Sequence, residues 1–127
     1  QSSQASVTVS GTPLPAMNVT EPISVIITKK KKVQRGNALL EILDTNGVPV
    51  DGALVRVKWD VIKSDDSIIP LPEAAATTLA DGTAILVSEK YWARTGDRFR
   101  ATVLGVSKPG YNYALPVPAP FGEIIAD

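Results

Sequence analysis

From Ala53 to Val61 the chain alternates without a break. Ala53, Val55, Val57, Trp59 and Val61 fall on one side, and Leu54, Arg56, Lys58 and Asp60 on the other. A period of two asks for a β-strand with one face in a core and one in water. Turn signals precede it: Asn46-Gly47 supplies positive φ angles, Pro49 stiffens the exit and Gly52 permits a bend. The same grammar recurs along the chain. Residues 23–27 (Ile-Ser-Val-Ile-Ile) predict a first strand, and residues 38–43 a second, with Ala38, Leu40 and Ile42 inward and Glu41 outward. A short strand is expected over 74–79. The Asp81-Gly82 turn then leads into Ala84-Ile85-Leu86-Val87, a consecutive apolar run that predicts a strand buried on both faces. Residues 98–106 place Phe99, Ala101 and Val103 inward and Arg98, Arg100 and Thr102 outward, with Gly105 marking a bulge or bend.

Ten prolines and nine glycines, spread as punctuation through 127 residues, suit many short strands and leave no room for long helices. The expected fold is all-β, an antiparallel Ig-like β-sandwich of about seven strands over residues 23–114. Residues 1–22 read as a leader, or as a donor or edge strand in which Ala5, Val7 and Val9 alternate. Residues 115–127 carry prolines at 116, 118 and 120 and read as an extended tail.

Composition narrows the chemistry. Histidine and cysteine are both absent, which removes the usual base of serine hydrolases, thiolate nucleophiles, disulfides and most transition-metal sites. The carboxylates sit at turns (Asp44, Asp51, Asp81) or at outward strand positions (Glu41, Asp60), so the chain does not read as an enzyme. Calcium needs only oxygen ligands, and Asp44, Asn46 and Asp51 around one turn are the candidates for it; otherwise no cofactor is expected. Thirteen basic and thirteen acidic residues balance, so no global field draws the chain to nucleic acid, and no apolar run is long enough to insert in a membrane. The four lysines at 29–32 therefore read as a solvated connection or a protected strand edge, against a contact with phosphate or an acidic polymer. Tyr91 and Trp92, beside Arg94, are aromatics that no strand pattern requires; they are the candidates for stacking on a polysaccharide, or else for capping one end of the sandwich. Asn18-Val19-Thr20 matches the N-glycosylation pattern.

The spacing Asp44-x-x-Gly47-x-Pro49-Val50-x-Gly52-Ala53-x-Val55-x-x-x-Trp59, followed by Thr77-Thr78-x-x-Asp81-Gly82-x-Ala84 and Phe99-x-Ala101-x-Val103, resembles Ig-like or fibronectin-type-III-like domains of large secreted microbial proteins. It is most similar to the accessory modules near the C-termini of secreted subtilisin-like peptidases, and its first two blocks resemble the Ig-like repeats of invasin and intimin. The resemblance covers residues 23–113. It implies a non-catalytic extracellular or cell-surface module, partnered by a linked catalytic domain or by identical subunits. Two further readings stay open: a filament subunit joined by exchange of its N-terminal strand, and a carbohydrate-binding module working through Tyr91 and Trp92.

Overall fold

The computed structural model describes residues 14–126, and among these it has nine strands and no helix. The assembly-strand candidates Ala5, Val7 and Val9 lie outside the described residues. The strands are β1 (Met17–Val19), β2 (Ser24–Lys30), β3 (Val33–Asp44), β4 (Leu54–Ile62), β5 (Ile68–Pro70), β6 (Ala74–Thr77), β7 (Thr83–Val87), β8 (Arg98–Ser107) and β9 (Phe121–Ile125). All the strand pairs are antiparallel, in two sheets.

In the first sheet, β3 is flanked on one side by β2 and β1 in turn, and on the other by β7. In the second, β4 is flanked by β6 and β5 on one side and by β8 on the other, with β9 beyond β8. The chain crosses from β3 to β4, returns at β7 and crosses again to β8. This is the connectivity of an Ig-like β-sandwich.

The alternating residues behave as their period requires. Ala53, Val55, Val57, Trp59 and Val61 are all fully buried, and so are Ala38, Leu40 and Ile42 on the facing sheet and Phe99 and Ala101 on β8. Trp59 and Phe99 meet edge to face, with ring centroids 6.5 Å apart at 78°. Gly36 makes room for them: a Cβ there would stand 2.6 Å from Cζ3 of Trp59. The bulge falls where Gly105 marks it. Arg56 pairs with Gly105 and Val57 with Val103, which leaves Leu104 as the extra residue.

Several expectations change. The sheets reach beyond 23–114 at both ends, because Met17 on β1 is buried and β9 pairs with β8 from Phe121 to Ile125. The prolines at 116, 118 and 120 all precede β9 and do not interrupt its ladder. These two strands and β5, added to the six that the sequence places between 23 and 106, bring the count to nine. The apolar run in β7 is buried on one face only: Ala84 and Leu86 are in the core, whereas Ile85 is 60% exposed. It lies in the four-stranded sheet, whose outer face no other described element covers. The strand expected over 74–79 stops at Thr77, because the hydroxyl of Thr78 is drawn into the core. There it donates to the carbonyl of Val50 at 2.6 Å and accepts the N–H of Ala53 at 2.8 Å.

Candidate functional site

β2 does not end before the lysines; it runs into them. Lys29 and Lys30 are its last residues, and Lys31-Lys32 form the turn into β3. Lys31 sits at φ 57°, the left-handed region that two-residue hairpin turns ordinarily give to Asn or Gly. The connection from β7 to β8 lies against this hairpin and is tied to β3. Gln34 N–H donates to the carbonyl of Tyr91 and Tyr91 N–H to that of Gln34, both at 2.8 Å. Ser88 completes the tie, donating its N–H to the carbonyl of Gly36 while its hydroxyl accepts the Gly36 N–H.

That tie sets which way the aromatics point. Tyr91 packs against the core with Lys63 Nζ 5.5 Å from its ring centroid, and Ala93 is buried. Trp92, between them on an extended segment, has to face outward. It is 60% exposed, so it does not cap the sandwich. Lys32 Nζ stands 5.2 Å from the centre of its ring, within cation–π range.

Asp97 braces the far end of the connection. Its carboxylate, 2% exposed, accepts from Lys63 Nζ at 2.7 Å and from the backbone N–H of Arg94 at 2.9 Å. Burial pushes the Asp97 carboxyl up, but the donors from Lys63 and Arg94 outweigh it and hold it below its ordinary value. The same hydrogen bond to Asp97 raises Lys63.

The result is a cleft of about 500 Å³ lined by Lys29, Lys31, Lys32, Gln34, Trp92 and Arg94. On the other side of the hairpin, Lys30, Arg35 and Lys90 line a second hollow of about 450 Å³. No described carboxylate lies within ion-pair distance of any of these seven cations. A chain of zero net charge thus concentrates positive charge at one end. Beneath the cleft, Gln34 is 4% exposed, and its Oε1 is a buried acceptor with no donor in the described protein.

The other candidate residues sit elsewhere. Asp44 Oδ1 accepts the N–H groups of Asn46 at 2.8 Å and Val48 at 2.9 Å, so it caps its own turn. Asp51 is exposed, and its backbone carbonyl accepts from Lys108 Nζ. Among the described residues no three Asp or Glu side chains gather where an ion could be held. Asn18 faces solvent on β1, opposite Leu43. No described helix is long and apolar enough to cross a membrane.

The sequence marks Tyr91, Trp92 and Arg94. The fold brings Trp92 and Arg94 into the cleft and turns Tyr91 inward. Lys29, Lys31, Lys32 and Gln34 belong with them, and only the pairing of residues 34 and 91 reveals it. No protein-family model matches this chain, and no curated protein matches it.

Proposed function

We propose that this domain is a non-catalytic binding module, an accessory unit of a secreted or cell-surface protein, and that the Trp92 cleft is its contact surface for an anionic polymer. One observation carries the reading. A solvent-facing tryptophan stands among cations that have no carboxylate partner in the described protein. Large exposed aromatics and unpaired cations cost solubility and self-repulsion unless a ligand uses them. The extracellular setting rests on the sequence resemblance alone.

A binding role also fits how the carboxylates are used. Asp65 and Asp81 cap turns through Ser67 and Thr83, and Asp60, Glu73, Asp97 and Glu123 are in ion pairs. With no histidine or cysteine, the commonest catalytic base and the strongest side-chain nucleophile are missing.

The test is retention of the whole chain on immobilised heparin at low salt, with uncharged agarose as control. Retention that weakens steeply as salt rises, and that falls in both Trp92→Ala and Lys31→Glu, is the expected result. Passage of the unaltered protein at the void volume would remove the reading.

A further inference from the structure

We infer that the ligand of the cleft is an acidic polysaccharide, one whose sugar rings carry carboxylate or sulfate groups. This rests on the reading that the cleft binds, and adds the ligand's chemistry. Three features of the cleft each make a separate demand.

Trp92 asks for a flat apolar face. A pyranose ring presents a patch of C–H groups on one side, which packs on an indole without needing hydrogen bonds from it. The cations ask for negative charge. Lys29, Lys31, Lys32 and Arg94 line the same cleft, and a neutral sugar would return only hydroxyl acceptors where an anion returns charge-assisted hydrogen bonds. Gln34 asks for a donor. Its Oε1 is buried and lacks a partner in the described protein, and the residue stands between the cleft and a neighbouring hollow lined by Ile26, Ile27, Ile124 and Ile125. Carboxylates and ionised phosphates only accept hydrogen bonds, whereas a sugar hydroxyl donates one. Oε1 is closed to solvent in the free protein, so a sugar hydroxyl reaches it only when the side chains over it move aside.

A polyphosphate or an acidic polypeptide side chain answers only the second demand. A uronic acid or sulfated sugar answers all three on one ring. The turn agrees with this. Lys31 is held at φ 57°, where Asn or Gly would sit with less strain, and a contact from its ammonium to an anionic ligand at the hairpin tip explains why a lysine stands there.

The experiment titrates the whole chain at low salt with polygalacturonate. Dextran, polyglutamate, oligo(dT) and phosphatidylserine vesicles serve as the comparison probes. Polygalacturonate is expected to bind more tightly than any of them. Trp92→Ala should lower that affinity about tenfold while the melting temperature stays put. Gln34→Met removes the unpaired acceptor at nearly constant volume, so it folds at least as well. It is expected to weaken polygalacturonate several-fold and to leave residual polyglutamate binding unchanged. If polyglutamate, oligo(dT) or vesicles bind as tightly as polygalacturonate, the sugar assignment falls while the anion-binding reading stands. Equal binding of dextran would overturn the requirement for charge. Binding to none of the probes would sink both.

Discussion

The two ends of the sandwich use polar residues in opposite ways. At the end where β3 turns into β4, the polar groups serve the chain itself. Asp44 caps its own turn, Asp81 accepts from the N–H and hydroxyl of Thr83, and Thr78 ties Val50 to Ala53. At the hairpin end, Lys29 to Lys32, Lys90 and Arg94 have no carboxylate partner among the described residues, Trp92 faces water and the Oε1 of Gln34 lacks a donor there. Both ends drew attention in the sequence, one as a possible calcium turn and the other as a possible sugar contact. What separates them is where the hydrogen bonds go. Groups that satisfy the backbone hold the fold, and groups left unsatisfied await a partner.

Changes to the shared core should abolish both ends together and have the largest effect. Trp59→Ala empties the space between the sheets and is expected to cost about 3–5 kcal/mol in urea unfolding. Gly36→Ala pushes a methyl into the Trp59 ring and should cost about 1–3 kcal/mol, since the indole is boxed in by Phe99. If Gly36→Ala were neutral, the packing of the two sheets at that point would have to differ.

Next come changes that act on one end. Thr78→Val leaves the Ala53 N–H and the Val50 carbonyl buried without their partner, an expected loss of about 1–3 kcal/mol. Polysaccharide affinity should be untouched, because the cleft lies at the other end of β3. A matching loss of affinity would mean the ends are not independent.

Asp97 gives the comparison a pH axis. Its native pKa lies below the ordinary value, so it contributes stability that is fully present above the unfolded carboxylate range. That contribution is lost as pH falls through the native value. Urea midpoints of the unaltered protein and Asp97→Asn should therefore differ at neutral pH and converge in acid. A constant gap down to the most acidic point would show that the charge of Asp97 plays no part.

Trp92→Ala should have the smallest effect on folding, within about 0.5 kcal/mol, because its side chain is mostly in solvent. Calcium, added in excess, should leave the melting temperature unchanged, since Asp44 is occupied by its own turn.

The fold was legible wherever one strand carried its own evidence. The alternation through Trp59, the Asn46-Gly47 turn and the Gly105 bulge are all local signals. The misreadings are non-local. Whether Ile85 is covered depends on how many layers the sandwich has, and its four-residue apolar run does not encode that. Phe121 to Ile125 read as tail because the prolines before it dominated the segment. Residues 1–22 stayed open between leader and edge strand because β1, at Met17–Val19, is only three residues long. The site was half legible. Trp92 stood out as an aromatic outside any strand. The lysine run read as a solvated turn on a strand edge, and so it is, since residues 29–32 are exposed and β2 pairs with β3 alone; that it shares a cleft with Trp92 is not written in the run itself. Only the Gln34 and Tyr91 bridge brings residues 29–34 beside residues 92–94.

The most direct test of the Trp92 cleft reads that ring itself. In Trp59→Phe, which keeps an aromatic in the core, Trp92 is the sole tryptophan, and acrylamide quenching of its emission reports its access to solvent. Strong quenching in the free protein, falling as polygalacturonate saturates it and unaffected by dextran, is the predicted result. Quenching that stays the same while the polysaccharide is bound would place the contact elsewhere and contradict the account.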